Sequence, residues 1–72
     1  MSSNKTYVIS EVVGSSDKSI SDAIDSAIIT ASASLRNLSW FEVVNVRGSI
    51  VDNKASEYQV TVKLGLRYDK SP

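Results

Sequence analysis

Residues 58–68 constrain the fold more than any other part of the chain, because apolar and intervening side chains alternate there without interruption. The apolar positions are Tyr58, Val60, Val62, Leu64, Leu66 and Tyr68. The intervening positions are Gln59, Thr61, Lys63, Gly65 and Arg67. A period of two places successive side chains on opposite faces of a β-strand. The pattern therefore predicts a strand over 56–68, with one face against a helix and the other face polar.

The segment that follows Ser19 changes to the periodicity of a helix. Its apolar residues recur at the steps that form one stripe on a helix: Ile20, Ala23, Ile24, Ala27, Ile28, Ala31 and Leu35. Ser19 is the predicted N-cap, and Asp22 is predicted to bond back to the Ser19 backbone N–H. Arg36 is predicted in the last turn and Asn37 as a left-handed cap.

Two further segments are rich in β-branched and aromatic residues, which favour strands. They span residues 6–13 and 40–52, and turn-forming residues at 14–17 are predicted to end the first of them. Gly48 indicates a bulge or bend, and Asn53 tolerates the positive φ of a tight hairpin turn. The predicted order is β–α–β–β. The last two strands form an antiparallel hairpin, and the first strand returns through the helix to the same sheet.

Composition narrows the chemistry that is available to the chain. The sequence contains no Cys and no His, which excludes disulfides, thiolate or imidazole metal sites and Ser-His-Asp catalysis. The spacing of the Asp and Glu residues indicates neither a catalytic dyad nor a metal cage. We therefore expect a binding protein rather than an enzyme, with no catalytic residue and no metal site.

Charge, hydropathy and length limit the partners. Eight Lys+Arg balance eight Asp+Glu, so the chain has no general attraction to nucleic acid or to an anionic membrane. No apolar run approaches the ~20 residues of a membrane span, and the first residues lack the apolar stretch of a signal peptide. We expect one soluble, cytoplasmic domain over residues 1–72, with flexible ends at 1–5 and 69–72. A chain of 72 residues buries a small fraction of its surface, which favours self-association.

Four residues are candidates for ligand contact on their chemistry alone. Trp40 is the only tryptophan, and it suits either the end of the core or an aromatic platform for a flat π system. Gln59 either faces solvent or matches the carbonyl–NH edge of a planar heterocycle with its amide. Arg47 and Arg67 are either surface charges or bidentate phosphate ligands.

Four runs of sequence form a specific combination. They are YVISEVVGSS at 7–16, LRNLSWFEV at 35–43, VRG at 46–48 and YQVTVKLGLR at 58–67. In this combination and spacing, residues 6–68 resemble the dodecin family. The resemblance implies an α+β fold in which a three-stranded antiparallel sheet wraps around one helix in the order β–α–β–β. It also implies assembly of the chain into a hollow homododecamer.

The resemblance further implies a function. Dodecins bind flavins (FMN or riboflavin) in pairs near two-fold axes. The tryptophans that match Trp40 in two subunits clamp the stacked rings, and the glutamine that matches Gln59 bonds their polar edge. Arg47 and Arg67 match positions where bacterial members commonly carry Arg, and we assign contact with the FMN phosphate to one or both. Indole stacking permits fast electron transfer to photoexcited flavin, so the implied role is flavin storage, buffering and photoprotection without turnover.

An alternative of a different class stays open on the sequence. The same shell would then mainly bind coenzyme A or another nucleotide, or act as a scaffold. Trp40 and Gln59 discriminate between the two hypotheses, because flavin binding needs both residues and a shell needs neither.

Overall fold

A computed structural model, which describes residues 4–68, has one helix and one three-stranded antiparallel sheet. The elements are β1 (Tyr7–Ser16), α1 (Ile20–Ser32), β2 (Leu38–Val51) and β3 (Lys54–Arg67). The predicted β–α–β–β order and α+β class are confirmed. The sheet order is β1-β3-β2, so that β3 pairs with both of the other strands. The predicted flexibility of residues 1–3 and 69–72 lies outside the described residues.

The core lies between α1 and the face of β3 that carries its even-numbered residues. The buried apolar residues are Val60, Val62 and Leu64 from β3 and Ala23, Ala27 and Ala31 from α1. The two predicted apolar faces therefore meet. Alanines on the helix stripe let α1 lie close to the sheet, because they present no side-chain atoms beyond Cβ.

The predicted turn at 14–17 is wrong in part, because β1 continues to Ser16. Gly14 pairs with Val60, and Ser16 pairs with Tyr58. A Cβ atom at Gly14 would lie only 2.7 Å from the Cβ of Ala27. The glycine therefore serves close packing of strand against helix, which local sequence does not distinguish from a turn.

The N-terminus of α1 is capped partly as predicted. The backbone N–H of Asp22 donates to the Oγ of Ser19 at 3.0 Å. The carboxylate of Asp22 does not return to Ser19 but accepts a hydrogen bond from the Oγ of Ser16 at 2.6 Å. Ser16 can reach the Asp22 carboxylate because it is the last residue of β1. The Oγ of Ser16 also accepts a hydrogen bond from the backbone N–H of Lys18 at 2.9 Å.

The C-terminus of α1 differs from the prediction. The helix ends at Ser32 with Ala33 as its C-cap, so Leu35 and Arg36 lie beyond it. Asn37 has the predicted positive φ of 64°, yet it leads into β2 and does not cap the helix. The Asn37 carbonyl accepts from the Arg67 backbone N–H at 2.9 Å, so pairing with β3 already holds the chain at this point.

β2 and β3 form the predicted hairpin. Asp52 and Asn53 have φ values of 54° and 65°, as a two-residue turn between twisted strands requires. The pairing of β2 with β3 shifts register at three places, and one of them, between Gly48 and Ile50, is the predicted bulge. The strands begin two residues earlier than predicted, at Leu38 and Lys54.

One helix covers only part of this sheet. Every residue of β2 after Leu38 is exposed, and the chain is elongated, with extents of 59 × 20 × 14 Å. Large apolar side chains are exposed on both flanking strands: Val8, Ile9, Val13, Phe41, Val43, Val44, Val46, Ile50 and Val51. Within residues 4–68, no helix has the length and apolar character needed to cross a bilayer.

Candidate functional site

All four predicted site residues lie on the sheet face that is turned away from α1. The odd-numbered residues of β3, including Gln59 and Arg67, point to this face, because the even-numbered ones contact the helix. Directly paired residues of antiparallel strands share a face. Arg47 pairs with Gln59 and Trp40 pairs with Gly65, so the outer face also carries the two candidates from β2.

The Trp40 indole lies at one end of this face. A Cβ atom at Gly65 would overlap the indole, so the ring lies over the backbone of β3. The Tyr7 ring, from the opposite flanking strand, contacts the indole with centroids 5.9 Å apart and planes inclined by 57°. The residue remains 39% exposed. Trp40 therefore lies on the outer face with part of its side chain exposed, and its use as a platform for a ligand stays a prediction.

Gln59 lies at the other end of the face, in a row of polar side chains. It pairs with Arg47 on β2 and with Ser15 on β1. Gln59 is half-buried, whereas the other two are exposed. Within the described part of the chain, these three side chains form no hydrogen bond or ion pair with protein. The row therefore presents an amide, a guanidinium and a hydroxyl whose capacity for hydrogen bonding is free for a ligand.

The structure does not bring Trp40 and Gln59 together within one chain. Trp40 lies beside residue 65 of β3, whereas Gln59 is six residues earlier on the same strand. At about 3.3 Å per residue, this spacing separates Trp40 from Gln59 by roughly 20 Å. Arg67 lies near the Trp40 end and Arg47 beside Gln59. The four candidates thus form two clusters: Trp40 with Arg67, and Gln59 with Arg47.

Neither cluster lies in a closed cavity, although Arg47 lines part of an open groove of about 350 Å³. A cavity of about 140 Å³ beside Trp40 is lined by Ile28, Leu38, Ser39, Phe41 and Leu64, and it is smaller than the ~300–1,000 Å³ of ordinary ligand sites. A larger open groove of about 540 Å³ lies between β1 and α1, and none of the four candidates lines it. Between residues 4 and 68, no group of three acidic side chains is placed to hold a metal ion. A single chain therefore offers an open surface for a ligand.

Tyr7 and Gly65 were not among the residues singled out by the sequence. Gly65 appeared only as one of the intervening positions of β3. A lone glycine within a strand often marks a close approach by another group, and that signal was available. No local signal pointed to Tyr7, because its contact with Trp40 crosses two strand pairings.

Comparison with known proteins gives a consistent result. The Dodecin family model matches residues 6–69. The dodecin of Thermus thermophilus is 39% identical over 67 residues, which are 93% of this chain and 97% of that protein. The structure of the dodecin from Streptomyces coelicolor has a TM-score of 0.86 at 46% identity and covers 97% of this chain and 100% of its own. Three variant structures of the Thermus thermophilus dodecin also match, one with a tryptophan replaced by phenylalanine and two with an arginine replaced by alanine. They have TM-scores of 0.86–0.87 at 37% identity and cover 93–94% of this chain and 100% of their own.

Proposed function

Because the chain belongs to the dodecin family, which consists of binding proteins rather than enzymes, we propose that it stores, buffers and photoprotects flavins. The ligand is FMN or riboflavin. The observation that carries this proposal is the Trp40 indole on the outer face of the sheet, which lies against Gly65 and stays 39% exposed. A flat aromatic surface of this kind suits a planar heterocycle.

Stacking accounts for both binding and protection. The isoalloxazine ring is electron-poor and the indole is electron-rich, so stacking gains dispersion and removes apolar surface from water. Comparable stacking of bases on aromatic side chains is worth about 1–3 kcal/mol per base. When bound, a photoexcited flavin is a strong electron acceptor. Trp40 would donate an electron to the excited flavin, and return of that electron from the reduced flavin to the oxidised indole would restore both ground states before damaging chemistry occurs.

The arrangement of the two clusters supports a site built from several chains. Trp40 and Gln59 are roughly 20 Å apart along β3, which exceeds the length of a fused three-ring system. One flavin ring that touches both residues must therefore receive them from different subunits. We place the flavins in pairs at a two-fold axis between Trp40 side chains of two subunits, with Gln59 at their polar edge. The assembly is a homododecamer, which covers the exposed apolar residues of β2.

Arg47 and Arg67 are proposed to bind the phosphate of FMN. Each lies in one of the two clusters, and neither forms an ion pair within residues 4–68. The substituted tryptophan and the two substituted arginines of the Thermus thermophilus dodecin have the same spacing as Trp40, Arg47 and Arg67 here. A guanidinium group binds phosphate through two parallel hydrogen bonds, so the arginines would favour FMN over riboflavin.

The proposal is tested by titrating FMN and riboflavin with the purified protein and following flavin fluorescence. We expect strong quenching that saturates near one flavin per chain. Trp40→Ala abolishes the quenching, whereas Tyr68→Ala, which removes another exposed aromatic ring, leaves it unchanged. Light scattering is expected to give twelve times the chain mass of 7.8 kDa.

An intact oligomer that quenches neither flavin would contradict the proposal. The same preparation would then be titrated with coenzyme A by calorimetry, since a shell that binds another nucleotide does not require Trp40. Retained quenching in Trp40→Ala would instead show that flavin binds elsewhere.

A further inference from the structure

Three strands contribute to the setting of the Trp40 ring. Tyr7 lies on β1, Gly65 on β3 and Trp40 on β2. The two aromatic residues belong to strands on opposite sides of β3, so their backbones are two strand spacings apart, roughly 9.5 Å. A side chain at position 65 would ordinarily stand between them. The centroids of the two rings lie 5.9 Å apart, because residue 65, which is a glycine, has no side chain to separate them.

We propose that Tyr7 and Gly65 are positioning residues that hold the Trp40 indole rigid with one ring face free for a ligand. The proposal deepens the proposed function and rests on it for the identity of that ligand. Gly65 fixes the inner face of the ring, because a Cβ atom there would overlap the indole. Tyr7 limits sideways rotation, since its ring packs against the indole with the two centroids 5.9 Å apart. Trp40 stays 39% exposed between these two contacts, which leaves part of its side chain accessible to a ligand.

Tyr7 is itself held in place, although it is the first residue of β1. It pairs with Arg67 on β3, and the neighbouring Thr6 carbonyl accepts a hydrogen bond from the Tyr68 backbone N–H at 2.7 Å. This bond extends the pairing of β1 past Tyr7 and opposes fraying of the strand end. Tyr7 is 39% exposed, and the Trp40 indole contacts its ring.

Rigidity of the indole affects ligand affinity. An aromatic side chain that is free to rotate must be immobilised when a ligand stacks on it, and this ordering opposes binding. Immobilising one such side chain on binding typically lowers the affinity about two- to ten-fold. Loss of the Tyr7 ring is therefore expected to weaken flavin binding by this factor, without removing any proposed contact with the flavin.

The test uses Trp40, the sole tryptophan, as its own reporter in the flavin-free protein. Time-resolved fluorescence anisotropy measures the local motion of the indole separately from slow tumbling of the assembly. We expect Tyr7→Leu to increase the fast depolarisation of Trp40 and to raise the dissociation constant for FMN about two- to ten-fold. Tyr7→Phe keeps the ring, so we expect it to have the wild-type depolarisation of Trp40 and the wild-type dissociation constant for FMN. Tyr68→Leu is the matched control, because Tyr68 is exposed and makes no ring contact within residues 4–68.

A second variant guards against a failure of Tyr7→Leu to fold, which circular dichroism would detect. Gly65→Ala leaves Tyr7 intact but is expected to displace the indole, shifting its emission to the red and increasing quenching by iodide. Unchanged indole motion in folded Tyr7→Leu, or an unchanged indole environment in Gly65→Ala, would overturn the positioning role. If the wild-type protein binds neither flavin while Tyr7→Leu still loosens the indole, the proposed function fails and the positioning role stands.

Discussion

β2 and β3 are neighbouring strands of 14 residues each, yet their environments are opposite. β3 lies at the centre of the sheet and supplies Val60, Val62 and Leu64 to the core. β2 lies at an edge, and all its residues after Leu38 are exposed. The directly paired residues Phe41 and Leu64 illustrate the contrast, since they are 48% and 1% exposed.

This contrast shows which apolar surfaces the chain buries by itself and which it leaves exposed. The apolar content of β2 does not serve the core of its own chain, and exposed apolar surface of this extent on a small domain marks an interaction site. An unpaired edge strand with apolar side chains is also prone to nonspecific pairing unless a partner covers it. We infer that β3 determines whether the chain folds and that β2 determines whether it assembles.

The largest effect is expected from a charge placed on β2. Val44→Asp should prevent assembly, because burial of an unpaired carboxylate at an interface costs several kcal/mol. Light scattering would then report a smaller species with an unchanged far-UV circular dichroism spectrum. Asn45→Asp, which adds the same charge at the adjacent exposed residue, is expected to keep the native mass. A Val44→Asp protein of native mass would show that Val44 lies outside the interface.

The paired residues Leu64 and Phe41 give the next test. Leu64→Ala should lower the free energy of unfolding by about 2–5 kcal/mol, because it leaves a cavity in a filled core. Urea unfolding at several protein concentrations distinguishes a residue that stabilises the core of the chain from one that stabilises its association. The loss in Leu64→Ala should not depend on concentration, whereas the loss in Phe41→Ala should, since Phe41 acts through association. Identical concentration dependence in both variants would contradict the division between the strands.

The smallest effects concern the arginine on each strand. Arg47→Ala on β2 or Arg67→Ala on β3 should weaken FMN binding by about 10- to 150-fold, as expected for loss of a charge-assisted hydrogen bond. Riboflavin, which lacks the phosphate, should be nearly unaffected. Calorimetric titration of both ligands measures the difference. Equal weakening of FMN and riboflavin by either substitution would refute a phosphate role for that arginine.

Much of the local structure followed from the sequence. The alternation in β3 correctly predicted its buried face, and the apolar stripe correctly predicted α1 and the three alanines that pack on the sheet. Asn53 in the hairpin turn and the bulge after Gly48 were also identified correctly. Trp40 and Gln59 were singled out from chemistry and family resemblance, and their role in flavin binding stays a prediction.

Other features did not follow from local patterns. Gly14 resembles a turn residue in sequence but is a strand residue packed against Ala27. The Asp22 carboxylate accepts a hydrogen bond from the Oγ of Ser16 and does not complete the predicted capping box with Ser19. In both cases the deciding neighbour lies on another element, so a window of local sequence does not contain it.

The sequence by itself therefore determined the type, order and buried face of the main elements. Those properties follow from side-chain periodicity and backbone preferences, which act over a few residues. Only the tertiary structure decided that β3 is central, that Trp40 and Gln59 lie far apart on one face, and that Tyr7 reaches Trp40 across Gly65. These features depend on the register between segments distant in sequence, and that register is set by packing of the whole sheet against α1.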